Sequence, residues 1–526
     1  MLRKRQIRGR KPSFFLKYLN RKNYLYIKGV KAGNTMASTW IWRGSYDRLE
    51  RIAYTGKELH TSGERNGQPL NAQPWSAVKP GDAVLAWSDT RELDRSRFPG
   101  VWVLNGNGYI VAKQSDEEKQ HIWRRAGLCG GAPLTSERLY LVSIVHLEPV
   151  DMVRIDAAGK VLPGRRMESR NAELRNGESR NVEPVDAGLK QIGAWPEDPA
   201  LRRVARTAVA ALYALGLDIG EAEIALGGDG RTVVRAAWPK LRDTRLEAVV
   251  LRRFAAWHAA ARAGEGDRRL RIGADPEFVL VTPGGKIASA SRFLGAGVGG
   301  AAGADALLVG RRLLYPVAEL RPEPAEDPAA LAANVRRLLL RAADRISDPS
   351  LRWAAGAMPV PGLALGGHIH LSGAPLTSRL LRLLDSYAAF PLALVEDPAG
   401  RARRPRYGML GDFRLQPHGG FEYRTLPSWL VSPAAAKASF ALALLCVREE
   451  QNLDYIPALE ERYVEAYYAG DRAVLAGCLD ALAASLAATN SYTELAPYIE
   501  PLLDAAKRGK TWDERSDIRV KWRLPH

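Results

Sequence analysis

Between Gly273 and Trp429 the chain sets polar residues two apart inside apolar runs: Gly-Ala-Asp275-Pro-Glu277-Phe, Val-Ala-Glu319-Leu-Arg321, Gly-Gly-His368-Ile-His370-Leu and Gly-Phe-Glu422-Tyr-Arg424-Thr-Leu. Residues i and i+2 of a β-strand share a face, so each segment predicts a strand that shows a polar pair to one side of a sheet. The same period predicts strands at 83–87, 101–104, 139–145 and 152–155, a hairpin around Gly227-Gly-Asp-Gly, and another turning at Pro283-Gly-Gly-Lys286. Apolar residues three and four apart predict helices over 116–126, 201–215, 244–263 and 378–395, a helix opened by Asp327, and helices from Pro433 onward. Two stretches break the pattern. Residues 167–184 repeat Glu-Ser-Arg-Asn in a polar loop, and Gly295 to Gly303 is a Gly/Ala segment without the Gly-Lys-Ser/Thr ending of a phosphate-binding loop.

The alternation of elements predicts an α+β protein, and 526 residues are enough for two or more domains. The expected divisions are a basic arm over 1–34, a mixed α/β region over 35–243, a helical linker over 244–268, a domain over 269–510 and a tail over 511–526.

The four polar pairs are chemically selective: acid with acid, acid with Arg, His with His, and acid with Arg, with no Lys, Ser or Thr among them. Carboxylates and imidazoles together hold divalent cations, and a planar guanidinium grips phosphate in two-pronged fashion, so the set suits a metal-bound nucleotide. The blander alternative is a solvated sheet face laced with surface ion pairs. His368 and His370, following Gly366-Gly367, are candidate metal or nucleotide contacts. In the run from Arg401 to Arg406 one or two arginines are candidates for a phosphate or substrate carboxylate, although such a run usually faces solvent.

Composition narrows the classes. Hydrophobic residues make up 46% of the chain, yet no apolar run approaches the ~20 residues that cross a bilayer. The run ending Leu-Leu-Cys446-Val reads as a buried helix. The basic start lacks the apolar core of a signal peptide, and three scattered cysteines form neither a disulfide framework nor a zinc cluster, which suits a reducing cytoplasm. Net charge is +18, and the first 31 residues hold eleven Lys and Arg, no acid, and interleaved Phe14, Phe15, Tyr18, Tyr24 and Tyr26. Such an arm could hold an anionic polymer or concentrate an anionic substrate.

Gly-x-Asp275-Pro-Glu277-Phe, Glu319-Leu-Arg321-Pro, Gly-Gly-His368-Ile-His370-Leu-Ser, Tyr407-Gly408 with Gly-Asp412-Phe-Arg414, and Phe-Glu422-Tyr-Arg424-Thr-Leu-Pro-Ser-Trp resemble, in order, the motifs of the carboxylate-amine ligase (amidoligase, type 2) family. That family is similar to glutamate-cysteine ligase and glutamine synthetase. The resemblance implies a curved antiparallel sheet covered by helices, with ATP and Mg²⁺ on its concave face. It implies metal ligation by Asp275, Glu277, Glu319 and Glu422, catalytic roles for Glu277, Glu422 and Arg424, and nucleotide contacts from His368, His370, Arg321 and Arg414. The implied reaction activates a carboxylate as an acyl phosphate, which an amine then attacks to give an amide or isopeptide bond. The substrates would be a carboxylate and an amine, as small molecules or peptides.

Residues 35–243 resemble a reduced ATP-grasp module at Val103-Leu-Asn105, Asp116 to Lys119, Ala126-Gly127, Leu215-Gly-Leu-Asp218 and Trp238-Pro239. Arg235 and Ala237 stand where that module carries metal ligands, which implies a domain kept for binding or positioning. Two other functions fit the residues: a metal-dependent hydrolase, and a non-catalytic scaffold for an anionic polymer.

Overall fold

The computed structural model describes residues 38–54, 59–60, 64–65, 68–69, 72–128, 134, 136–162, 195–263, 269–295, 302–309, 312–416 and 420–525. The basic arm, the 167–184 repeat and most of the Gly/Ala segment lie outside the described residues. The fold is mixed, with helices packed on open sheets.

The first sheet is built on Thr39–Trp42, which pairs antiparallel with Leu49–Tyr54 and parallel with Ala83–Ala86; the latter pairs parallel with Trp102–Leu104. Alternation divides its side chains. Trp40, Trp42, Val84 and Ala86 pack on one side with Phe98, and Ile41, Leu85 and Trp102 on the other. That second side is covered by the helix Glu247–Ala263 through Val250, Leu251, Phe254 and Ala255. The segment predicted as a linker is therefore a helix that seals this sheet, because its apolar residues find a partner surface there.

The second sheet is antiparallel throughout, in the order Glu148–Ile155, Arg138–Val145, Ile219–Leu226, Thr232–Trp238. The helix Pro199–Ala214 lies on it. Asp198 caps this helix by accepting from the backbone N–H groups of Ala200 and Leu201, and Val204, Ala205, Ala208, Val209, Ala211 and Leu212 form its buried stripe. The helix Asp116–Arg125 starts at a reciprocal cap between Ser115 and Glu118.

The third sheet carries the four polar pairs. Its main order is Ala302–Val309, Arg312–Leu320, Arg271–Val281, Gly367–Ser372, Phe421–Tyr423, Phe413–Leu415, every neighbour antiparallel. Ile272, Phe278, Leu280, Ile369, Leu371, Phe421 and Tyr423 join the main core with the helices Pro328–Arg345 and Pro433–Arg448. Pro433–Arg448 is apolar on nearly every side because it is buried on nearly every side, Phe440 to Cys446 included. Among the described residues no helix is long and apolar enough to cross a membrane. The predicted helix over 378–395 forms as Ser378–Leu384, a π-helical turn Asp385–Ala389, and Phe390–Val395.

The halves meet at a buried ion pair. Arg382 donates to Asp218 Oδ1 at 2.5 Å and to the Leu217 carbonyl at 3.2 Å. The Asn105 side-chain oxygen accepts from the backbone N–H groups of Asp218 and Ile219. Asn105 and Asp218, two marks of the ATP-grasp resemblance, are thus bonded to one another and to the C-terminal half.

Buried carboxyls near the core give stability a pH dependence. Burial pushes Glu450, at the end of Pro433–Arg448, up to about 7, although the Thr377 hydroxyl donates to it; burial likewise pushes Asp385 up to about 6 against donation from two tyrosines. Where the folded-state pKa is raised, the folded protein holds protons that the unfolded chain has released, so this stability is complete near pH 4 and is lost as pH rises through 6 to 7. The expected result is a thermal midpoint that declines from pH 5 to pH 8, and a shallower decline in Glu450→Gln. Parallel profiles for the two proteins would show that Glu450 does not contribute.

Candidate active site

Register places the polar pairs on one face. Asp275 lies opposite His368, Glu277 opposite Glu319, His370 opposite Glu422, and Arg414 opposite Glu422. Residues directly across an antiparallel ladder share a face, as do residues two apart, so four separate segments become one surface. Gly366 precedes the His strand for a steric reason: a Cβ there would lie 2.4 Å from His368 Nε2.

Asp275, His370 and Glu422 form the centre of that surface. One ligand atom from each lies within 4.8 Å of the others, a spacing that could hold a metal ion. His370 Nε2 is 3.1 Å from Asp275 Oδ2, and His368 Nδ1 is 3.1 Å from Asp275 Oδ1 and 3.3 Å from Glu422 Oε1. These contacts are close but poorly aligned, so Asp275 Oδ1, His368 Nδ1 and His370 Nε2 are buried polar atoms without a hydrogen-bond partner among the described residues. Leaving such an atom unsatisfied costs about 1–3 kcal/mol, and a cation would satisfy the carboxylate oxygen and an imidazole lone pair together. The donor set therefore fits a divalent ion.

Charge is balanced around this centre. Burial alone would raise the Asp275 carboxyl, but the close imidazoles of His368 and His370 hold it well below the usual carboxylate range. Burial would depress His368, and the neighbouring Asp275 raises it above its ordinary value instead. Glu422 is fully buried and accepts from Arg414 Nε at 2.6 Å, Gln416 Nε2 at 2.9 Å and Arg424 Nη1. Arg424 also reaches Asp412 at 3.5 Å. Desolvation weighs against the Arg424 charge, and the carboxylates of Glu422, Asp412 and Asp275 more than offset it. Burial pushes Asp412 up, with Arg424 pulling against it.

The remaining candidates lie on the same face with other contacts. Glu277 Oε2 accepts from the Gly366 N–H at 2.6 Å, and Arg321, one residue past the strand Arg312–Leu320, pairs with Glu319. The structure thus gathers His370 with Asp275 and Glu422 as a metal-sized group, while Glu277 and Glu319 face each other on the neighbouring pair of strands.

Two members of the arginine run, Arg403 and Arg404, turn inward, while Arg401 and Arg406 are exposed. Arg403 is buried and donates to the carbonyls of Thr425 and Leu426; Arg404 is buried against Glu396 and donates to the Tyr467 carbonyl. Both hold the chain together, since buried guanidiniums must spend their donors on protein acceptors. Gln416 was missed, although Asp412, Arg414 and Gln416 continue the two-residue alternation through the strand Phe413–Leu415 and the residues flanking it.

In the second sheet, Arg235 pairs with Glu137 at the surface and Ala237 is buried. Neither offers a ligand to a cation.

Residues 272–524 match the family model described as phage phiEco32-like COOH.NH2 ligase-type 2. This region, just under half of the chain, is similar to that carboxylate-amine ligase family. No curated protein matches the chain. Among solved structures, a bifunctional glutathione synthetase from Pasteurella multocida is similar at 12% identity and a TM-score of 0.31, over 50% of this chain and 52% of that one. The chain thus spans about half the length of that synthetase. Apo GmaS without ligand is similar at 17% identity and a TM-score of 0.27, over 47% of this chain and 72% of that one.

Proposed function

We propose that the protein is an ATP-dependent ligase that joins a carboxylate to an amine, with Mg–ATP bound on the polar face of the third sheet. The observation that carries this is the convergence of Asp275, His370 and Glu422 within 4.8 Å, with unsatisfied buried atoms at its centre, on the region of the ligase family.

A carboxylate does not acylate an amine in water, so it must first gain a leaving group. In the proposed reaction a carboxylate oxygen attacks the γ-phosphorus of ATP and ADP leaves with the bonding electrons. The amine then attacks the acyl carbon, loses a proton, and inorganic phosphate departs. A divalent ion held by Asp275 and Glu422 with His370, and reached by Glu277 and Glu319, would neutralise charge on the phosphates. Arg424 and Arg414, which both donate to Glu422, would grip a phosphoryl group or the substrate carboxylate in two-pronged fashion. His368 and Arg321 flank them as nucleotide contacts. The N-terminal half acts in substrate binding or positioning.

The test is calorimetric. Wild type is expected to bind ATP only with Mg²⁺, and Asp275→Asn to weaken that binding at least tenfold, since it removes one ligand charge while keeping side-chain shape. Equal affinity in the two proteins would place the nucleotide elsewhere, and turnover without ATP would favour a metal-dependent hydrolase.

A further inference from the structure

A cleft of about 290 Å³ lies between the helix Pro199–Ala214 of the N-terminal half and residues 409–415 of the ligase half. Its size is near the lower end of small-molecule sites, which run roughly 300–1,000 Å³. At one end it is lined by Asp412 and Arg414, which also belong to the polar face; on the helix side stand Arg202 and Arg206. Between them the walls are apolar, with Val209, Tyr213, Met409 and Phe413 among the lining residues. The two halves fit closely here: a Cβ on Gly411 would lie 2.1 Å from the Tyr213 ring, and both Tyr213 and the Gly411 N–H donate to Asp385.

The cations of this cleft are unevenly used. Arg414 is committed to Glu422, and Arg202 gives Nε to the Pro196 carbonyl at 2.8 Å. Arg206 makes no hydrogen bond or ion pair among the described residues. Desolvation and then the charge of Arg202 lower its pKa, the Asp412 carboxylate pulls the other way, and Arg424 and Arg414 add smaller lowering contributions, so the four guanidiniums and this carboxylate sense one another. Three arginines against the single carboxylate of Asp412 line the cavity, and with Arg206 unpaired among the described residues the balance favours an anion.

We propose that this cleft binds the acid substrate of the ligase, and that this substrate is a dicarboxylic acid. One carboxylate meets Arg414 and Arg424 at the polar face, where it is activated. The second is held by Arg206 beside Arg202, and an apolar spacer lies against Tyr213 and Met409. The N-terminal half thereby sets which acid enters, although it carries no cation ligand at Arg235 or Ala237. The proposal rests on the ligase function proposed above and adds the class of its acid.

The experiment titrates straight-chain dicarboxylates, from succinate to suberate, into wild type, Arg206→Gln and Ala210→Phe, each beside the monocarboxylate of equal length. Ala210 lines the cleft from the helix, so the larger side chain plugs it without a change of backbone. At least one dicarboxylate is expected to bind wild type, at least tenfold more tightly than its monocarboxylate. Both variants should lose about tenfold or more of that affinity, as expected for removal of a charge-assisted hydrogen bond or of the cleft itself, and Arg206→Lys should restore part of it. All variants should keep wild-type affinity for Mg–ATP. Failure of every dicarboxylate to bind, or binding that Arg206→Gln leaves unchanged, overturns the proposal. Loss of Mg–ATP binding in wild type overturns the ligase reading instead, so the two failures are distinguishable.

Discussion

Glu422→Gln is expected to reduce ligase turnover by a hundredfold or more, the scale seen when one preorganised electrostatic contact is removed from a reacting site. Glu422 is the most connected residue of the polar face: fully buried, opposite both His370 and Arg414, and bonded to two guanidiniums and an amide. Glutamine keeps its shape but removes the charge that the proposed divalent ion would share and that orients Arg414 and Arg424. The side chains of Arg414 and Arg424 are 50% and 29% exposed, so water can reach the guanidiniums when their acceptor weakens, and the fold should persist. The measurement is phosphate release that depends on both acid and amine, with unfolding followed in parallel. Turnover within threefold of wild type would remove Glu422 from the machinery.

Arg382→Met should destabilise the protein by about 3–5 kcal/mol, because it leaves a carboxylate buried without its cation. Asp218 and Arg382 have side chains only 4% and 7% exposed. Burial pushes the Asp218 carboxyl up, and the Arg382 charge, with hydrogen bonds from Ser378 and Asn105, brings it below its usual range. The double variant Arg382→Met with Asp218→Asn removes both charges, and an asparagine oxygen can still accept from the Asn105 N–H. It should therefore recover a substantial part of the loss. The readout is the urea midpoint by tryptophan fluorescence. A single variant within about 1 kcal/mol of wild type, or a double variant no better than the single, would show that this pair does not join the halves.

Much of the site was legible because a strand has a period of two. The pairs Asp275/Glu277, Glu319/Arg321, His368/His370 and Glu422/Arg424 could be assigned to faces from spacing alone, and the order of their motifs pointed to the ligase family that residues 272–524 match. Helices were legible for a similar reason. Asp198 and Asp327 cap helices whose buried stripes follow the apolar spacing, and Phe440 to Cys446 is buried as its unbroken apolarity implied.

What spacing cannot supply is which strand lies beside which. His370 stands opposite Glu422 across 52 positions of sequence, and only the ladder joins them with Asp275 into a group of metal-binding size. Nor could the run Arg401 to Arg406 reveal that Arg403 and Arg404 turn inward, since a side chain's burial depends on the carbonyls and carboxylates that other segments bring to it. The same holds at the contact between the halves, where Asn105, Asp218 and Arg382 meet. Local sequence determined period, caps and the chemical inventory of this protein, because those depend on neighbours along the chain. Tertiary structure decided the pairing of charges, the cleft beside Arg206 and the role of each arginine, because electrostatic energy depends on distance and burial rather than on position in the sequence.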